Sequence, residues 1–317
     1  MHILNTIGEV YTEDAKKILS KFGEVDYVTP TQSELLRLVS EYDVVIIGLG
    51  LTFDSEVLAG AKKLRVIATA TTGLDHIDLE MARERGIEVL SLRGEDEFLN
   101  TITGTAELAW GLLISLLRMT PHAFEEVKNY QWDRENFRGR NLYGKTLGIV
   151  GMGRLGTWMG RYGKAFGMRV LYADPNVTVC SVDGCERVSF DELLKESDVI
   201  SVHAHLSPET ENMFNADVFA KMKQGAYLVN TSRGAIVDEA ALVQALERGS
   251  MAGYATDVLT DEKSFETEGF NEHPLVEFAK NNKNCIIVPH IGGMTVESRE
   301  RTDVFIAEKL KNFVETL

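Results

Sequence analysis

Three side chains able to hold or move charge stand where predicted strands end: Arg233 in Asn-Thr-Ser-Arg-Gly, Glu262 shortly after Thr-Asp-Val-Leu, and His290 in Val-Pro-His-Ile-Gly-Gly. A histidine titrates near neutral pH, so it can give a proton to a carbonyl oxygen while hydride arrives at the carbon, or take it back in reverse. An arginine presents a planar fork that fits a carboxylate or the oxygen of a 2-oxo acid. A carboxylate on the other ring nitrogen of the histidine fixes its tautomer and raises its pKa. The triple suits hydride transfer to or from a 2-hydroxy acid. Spacing alone does not bring residues so far apart together, and a single His or Arg at a strand end is more often structural.

The elements that would hold a hydride carrier lie upstream. Residues 146–150 form an apolar run suited to a buried parallel strand, and Gly151, Gly153 and Gly156 follow it in G-x-G-x-x-G spacing. In such a turn the first glycine permits the tight bend, the second admits a pyrophosphate close to the backbone, and the third lets the next helix pack on the strand. The pyrophosphate then meets the N–H groups and positive dipole end of that helix. A second strand, 169–173, ends in Asp174, where an acidic side chain can accept hydrogen bonds from an adenosine ribose and repel a 2′-phosphate. NAD is therefore favoured over NADP. Three glycines alone often make no more than a tight turn; the strand, helix and acid around them carry the reading.

Length and charge bound the rest. A chain of 317 residues allows two domains with large cores, and a net charge of −15 with 33 basic residues argues against nucleic acid or anionic membrane as partner. Cys180, Cys185 and Cys285 form no metal-ligand pattern and are odd in number, so reduced thiols of a cytoplasmic protein are expected. No stretch has the apolar length of a membrane span. No His/Cys/Asp/Glu cluster has metal-site spacing, and hydride chemistry without a metal is expected.

Along the chain, predicted strands at 3–7, 25–28, 44–47, 66–70 and 88–90 alternate with helical patterns and carry no phosphate-binding glycines, which makes this first unit the candidate substrate domain. The loop Thr71-Thr72-Gly73 follows a strand's C-terminal end and offers hydroxyls and N–H groups to a carboxylate, although an ordinary turn has the same composition. The polar connection 91–101 leads into a helix at 105–117, too broadly apolar to be solvated, which Pro121 is expected to end while opening the next helix, and which would serve either a core or a subunit interface. Strands follow at 198–203, 226–230, 251–257 and 285–288. A long final helix, 295–317, is able to cross back onto the first unit and make it discontinuous.

These residues together resemble the D-isomer-specific 2-hydroxyacid dehydrogenases, a family with phosphoglycerate, glycerate and hydroxypyruvate enzymes. The resemblance covers nearly the whole chain and rests on 151–156 with Asp174, on 193–201, on 229–237 and on 288–292. It implies an α/β fold of two doubly wound parallel-sheet domains. A Rossmann NAD-binding domain, 99–290, would be inserted into a flavodoxin-like substrate domain formed by 1–98 and 291–317. It also implies an NAD-dependent oxidoreductase interconverting a small D-2-hydroxy acid and its 2-oxo acid, with Arg233 orienting the substrate, His290 as acid/base and Glu262 as its partner. Asp257 would hold the nicotinamide carboxamide, and Arg154 and Leu155 would turn backbone groups to the pyrophosphate. Thr105, His203, Thr231 and His290 would line the cofactor, and Thr71, Thr72 and Gly73 would take the substrate carboxylate.

Departures from the family pattern open alternatives. Thr260, Asp261, Glu262 and Lys263 replace an acidic run that usually ends in Glu-Pro; Glu262 aligns best with the histidine's partner, and Asp261 stays open. His205 stands where proline is common, while His76 and His273 fall at family positions outside the catalytic set. Residues 94–104 form a longer connection, with Glu95, Asp96 and Glu97 read as solvated charges. A formate enzyme would want Gln at the partner position and a phosphite enzyme a lysine in the 69–73 loop; neither is present. Phosphoglycerate oxidation would need a cation such as Arg93, Lys62 or one from a partner subunit, and with the sequence ending at Leu317 the regulatory domain of longer phosphoglycerate enzymes is expected to be absent. A catalytically silent NAD(H)-sensing protein is the rival from another class, and the 105–117 helix makes a homodimer the expected assembly.

Overall fold

In the computed structural model, residues 1–262, 265, 269–270 and 272–316 are described. The chain divides into two compact units, Met1–Ile102 with Met294–Leu317, and Thr103–Glu262 with Phe270–Gly293.

The first unit alternates short strands and helices: β1 (His2–Asn5), α1 (Glu13–Leu19), β2 (Glu24–Tyr27), α2 (Gln32–Leu38), β3 (Val44–Ile47), α3 (Ser55–Gly60), β4 (Val66–Thr69), α4 (Leu79–Glu84), β5 (Glu88–Leu90) and α5 (Asp96–Leu99). The strands are all parallel in the order β2-β1-β3-β4-β5, the flavodoxin-like order of a doubly wound sheet. Every residue of β3 and β4 is buried, as expected for runs such as Val-Val-Ile-Ile covered on both faces. One face packs Leu35, Val57, Leu58 and Ala82; the other packs Ala15, Leu19, Ile306, Ala307 and Leu310. The last three come from the C-terminal helix Val296–Val314, capped by Thr295 and seated on α1. Tyr11, two residues ahead of α1, adds a tie by donating to the Asp303 carbonyl at 3.1 Å.

Two short helices here were not singled out from the sequence. Asp54 accepts from the Glu56 and Val57 N–H groups and so starts α3. The charged connection forms α5. Glu95 is not a solvated charge there: it pairs with Lys309, whose Nζ also donates to the Ser91 carbonyl at 2.9 Å, while Asp96 and Glu97 are exposed.

The second unit carries α6 (Gly104–Arg118), α7 (Thr120–Lys128), β6 (Thr146–Val150), α8 (Arg154–Ala165), β7 (Arg169–Ala173), β8 (Cys185–Arg187), α9 (Phe190–Glu196), β9 (Val199–Val202), α10 (Ala216–Lys221), β10 (Ala226–Asn230), α11 (Glu239–Glu247), β11 (Met251–Thr256), α12 (Pro274–Asn281) and β12 (Cys285–Ile287). Its seven parallel strands run β12-β11-β10-β9-β6-β7-β8, so the strand order reverses between β6 and β9. That is the Rossmann arrangement, and ligands of such sheets bind outside the carboxyl ends at the reversal. The apolar face of α6 is taken up within its own unit, where Ala109, Trp110, Leu113 and Leu116 join Leu147, Ile149 and Val229 in one core. As expected, Pro121 opens the next helix, α7, but the stop itself comes two residues earlier, where Met119 enters the left-handed region at φ 51°. Among the described residues no single helix is long and apolar enough to cross a membrane.

Candidate active site

At the reversal point, three glycines answer three different demands. Gly151 lies at φ 89°, and a Cβ there would come within 2.7 Å of the His203 carbonyl at the end of β9. At Gly156 a Cβ would stand 2.2 Å from the Gly151 carbonyl, so the helix can approach the turn only without one. Gly153 differs: its φ is −73°, open to any residue, and a Cβ would meet no atom within 4 Å. The protein's own packing does not require glycine at 153, whereas close approach of a ligand to the backbone would. Gly153 is the N-cap of α8 and, having no side chain, makes no cap hydrogen bond, which leaves that N-terminal end suited to an anion.

Asp174, at the end of β7, accepts the Met152 N–H at 2.7 Å on one oxygen and the Asn176 and Val177 N–H groups at 2.7 and 2.9 Å on the other. It therefore ties the glycine turn to the next strand, a task beyond the one read from its position. Two buried polar atoms on the same rim lack a hydrogen-bond partner among the described residues, Thr231 Oγ1 and His203 Nδ1. Burial pushes the His203 pKa down to about 4, and its Nε2 lies 2.8 Å from Ser201 Oγ. An open Gly153, an uncapped helix start, a strand-end acid and orphaned polar atoms at 203 and 231 fit a dinucleotide. His205, by contrast, is exposed.

The ends of β10, β11 and β12 bring Arg233, Glu262 and His290 together. Asn230, fully buried at the end of β10, accepts from the Ser232 N–H at 3.0 Å and donates to the Arg233 carbonyl at 2.9 Å, which fixes the turn that carries the guanidinium. Gly234 lets that turn lie on the next one: a Cβ would stand 2.1 Å from the Leu259 carbonyl carbon. From the 259–262 turn Glu262 reaches His290, with Oε1 2.7 Å from Nδ1, while Asp261 is exposed. Of the two acids left open by sequence, the one on His290 is Glu262.

His290 takes the left-handed conformation, φ 51°, immediately after Pro289. Asp257, 1% exposed at the end of β11, supports that bend by accepting the Ile291 N–H at 2.6 Å and the Gly292 N–H at 2.8 Å, and its carbonyl accepts the His290 N–H at 2.9 Å. Burial raises the Asp257 pKa against the lowering effect of these bonds. For His290, burial acts to lower the pKa, but the hydrogen bond and charge of Glu262, with the charge of Asp257, outweigh burial and the opposing Arg233, and the net shift is upward. Thr105, near the start of α6, packs where a side chain on Gly292 would go.

Within the first unit, the Thr71–Gly73 loop is bonded to itself: Thr71 Oγ1 donates to the Gly73 carbonyl at 2.8 Å and lies 3.1 Å from Thr69 Oγ1. Arg93 Nε donates to the Thr72 carbonyl at 3.3 Å, so a cation does sit beside this loop. Glu239 and His273 gave no functional signal in sequence; their side chains, on α11 and at the start of α12, form a further histidine–carboxylate pair beside the first, at 3.2 Å.

Residues 110–292 match the family model described as D-isomer specific 2-hydroxyacid dehydrogenase, NAD binding domain. The chain is 37% identical over 303 residues to a D-3-phosphoglycerate dehydrogenase of Methanocaldococcus jannaschii, covering 94% of this chain and 55% of that protein. It thus spans about half the length of the phosphoglycerate dehydrogenases it matches. A glyoxylate reductase of Thermococcus litoralis is 36% identical over 314 residues, 95% of this chain and 90% of that one. Among solved structures, D-lactate dehydrogenase from Aquifex aeolicus, complexed with NAD and lactic acid, superposes with TM-score 0.87 at 30% identity, covering 100% of this chain and 96% of that chain. The chain carries the NAD-binding domain of, and belongs to, the D-isomer-specific 2-hydroxyacid dehydrogenase family.

Proposed function

We propose that the protein interconverts a small D-2-hydroxy acid and its 2-oxo acid with NAD, and that His290, Glu262 and Arg233 carry the chemistry. The observation that most supports this is the 2.7 Å pair between Glu262 Oε1 and His290 Nδ1 on the rim that also carries Arg233. The bound nicotinamide supplies the hydride in one direction and accepts it in the other. His290, tied at Nδ1, has Nε2 left for the substrate oxygen: it donates a proton during reduction of the oxo acid and takes one during oxidation. Glu262 holds the ring orientation and stabilises the protonated form. Arg233 orients the substrate and offsets negative charge on its oxygen. Gly153, Arg154, Leu155 and Gly156 hold the pyrophosphate with Gly151 shaping the turn, Asp174 holds the ribose, and Thr105, His203, Thr231 and Asp257 complete the cofactor contacts. Thr71, Thr72 and Gly73 take the substrate carboxylate.

A phosphorylated substrate is a second reading, favoured by Arg93 at the Thr72 carbonyl and by the names of the phosphoglycerate relatives. A homodimer remains part of the proposal on new grounds. With α6 spent on the core, the exposed aromatics after and along α7, Tyr130 fully exposed and Trp132 88% exposed, are the surface that would meet a second copy. Following NADH and NADPH oxidation with glyoxylate, hydroxypyruvate, pyruvate, 2-oxoglutarate and phosphohydroxypyruvate tests the function. Turnover of at least one acid with NADH is expected; tight NADH binding with no turnover of any would favour a sensor.

A further inference from the structure

The Glu262 turn is gripped on two sides. On one it lies against Gly234, next to Arg233, at backbone contact. On the other, Glu239 Oε1 accepts the Thr260 N–H at 3.0 Å, and Glu239 Oε2 lies 3.2 Å from His273 Nε2. Both side chains of this further pair are nearly buried, 13% exposed for Glu239 and 11% for His273. Glu239 opens α11, its N-cap being Asp238, and His273 precedes Pro274 at the start of α12, so the pair joins two packed helices to the turn between them.

A desolvated carboxylate is stable only when its oxygens are bonded. Here one oxygen holds a backbone N–H two residues before Glu262, and the other takes the histidine. Glu262 in turn has its second oxygen on the Leu259 N–H at 3.3 Å, within the same turn. The position of the carboxylate on His290 is thus set by a turn whose Thr260 N–H is held from outside by Glu239.

We propose that Glu239 and His273 are positioning residues, a buried strap that holds the 259–262 turn so that Glu262 meets His290 Nδ1. This rests on the reading of His290 and Glu262 as the acid/base pair. The strap acts through Glu262 and not by its own charge: the groups facing His290 are Glu262, Asp257 and Arg233, whereas those facing Glu239 are His273, Asp261, Tyr254 and Cys285.

The test is the titration of the His290 imidazole by NMR on the full chain with labelled histidine, its signal assigned by loss in His290→Asn. This needs no turnover. Glu262→Gln is expected to lower the His290 pKa by about one unit. Glu239→Ala and His273→Gln are expected to lower it in the same direction by roughly half as much, and Glu239→Gln, which keeps an acceptor for Thr260, by less. The double variant Glu239→Ala/Glu262→Gln is expected to match Glu262→Gln alone, because the effect runs through Glu262. An unchanged His290 pKa in Glu239→Ala and His273→Gln, with Glu262→Gln still shifted, overturns the strap and leaves the acid/base pair standing. If Glu262→Gln leaves the pKa unmoved, the acid/base reading falls and the strap with it. An additive double variant would mean that Glu239 acts by its own charge, and would overturn the strap as well.

Discussion

Replacing Gly153 by alanine should separate binding from folding. At this position the backbone is compatible with alanine, and the new Cβ meets no atom within 4 Å, so overpacking contributes nothing. Two small effects oppose each other. A less flexible unfolded chain stabilises by about 0.4–1 kcal/mol, and alanine is a poorer N-cap than glycine by about 0.5–1 kcal/mol. Their sum stays within about 1 kcal/mol, a shift of roughly 2–4 °C in melting temperature at most. For Gly156→Ala the methyl would stand 2.2 Å from the Gly151 carbonyl, a backbone atom that cannot swing aside, and a loss of about 1–3 kcal/mol is expected. The dinucleotide reading adds that a methyl at 153 occupies the space a pyrophosphate needs, raising the NADH dissociation constant at least about tenfold, or about 1.4 kcal/mol. Thermal melts of both variants with and without NADH, and titration calorimetry, separate the two effects. If Gly153→Ala bound NADH as tightly as the parent, or lost as much stability as Gly156→Ala, the assignment of this turn would be wrong.

Other expectations concern the frame around the site. Gly234→Ala should force the Arg233 turn from the Leu259 backbone and lower kcat/KM on the order of 10²-fold, given how strongly small misplacements act, with NADH binding retained in calorimetry. Asp303 is fully buried, and burial pushes its pKa up to about 6 against the pull of Arg299, 3.5 Å away. Because the unfolded carboxyl ionises first, the folded state loses stability as pH rises from about 4 to about 6, so Asp303→Asn should raise the melting temperature at pH 8 by an amount equivalent to about 2–3 kcal/mol and much less at pH 4. Equal gains at both pH values would contradict that sign. Trp132→Asp should convert a dimer to a monomer in sedimentation; a parent that sediments as a monomer at micromolar concentration ends the dimer reading.

Much of this arrangement was legible in sequence because buried parallel strands are unbroken apolar runs: 44–47, 88–90, 146–150, 169–173 and 226–230 coincide with β3, β5, β6, β7 and β10. β8 was not legible, since Cys-Glu-Arg has no apolar run and pairs only along the sheet edge with β7. The end of α6 was read to within a residue, but its stop was credited to Pro121, because proline is a visible breaker whereas a left-handed methionine leaves no mark in composition. Whether the apolar face of α6 met a core or another subunit depended on which strands lay over it, and the fold buries it on its own sheet. Within the site, the choice between Asp261 and Glu262 turned on the direction of side chains from one tight turn. Glu239 and His273, far apart in sequence, are joined only by packing of α11 on α12. Asp174 and Asp257 stood at readable strand ends, but their backbone partners could be known only once the turns were formed.

The most direct test of the acid/base assignment is the pH dependence of kcat/KM for reduction of a 2-oxo acid by NADH. On that assignment the reaction would need protonated His290, whose pKa lies above its ordinary value because Glu262 and Asp257 outweigh burial and Arg233. The rate should therefore hold at low pH and fall as pH rises through that raised pKa. Glu262→Gln should move the fall to lower pH by about one unit, and His290→Asn should cut the rate on the order of 10²–10⁴-fold and remove this dependence. A fall that stays in place in Glu262→Gln, or survives with full rate in His290→Asn, would contradict the account.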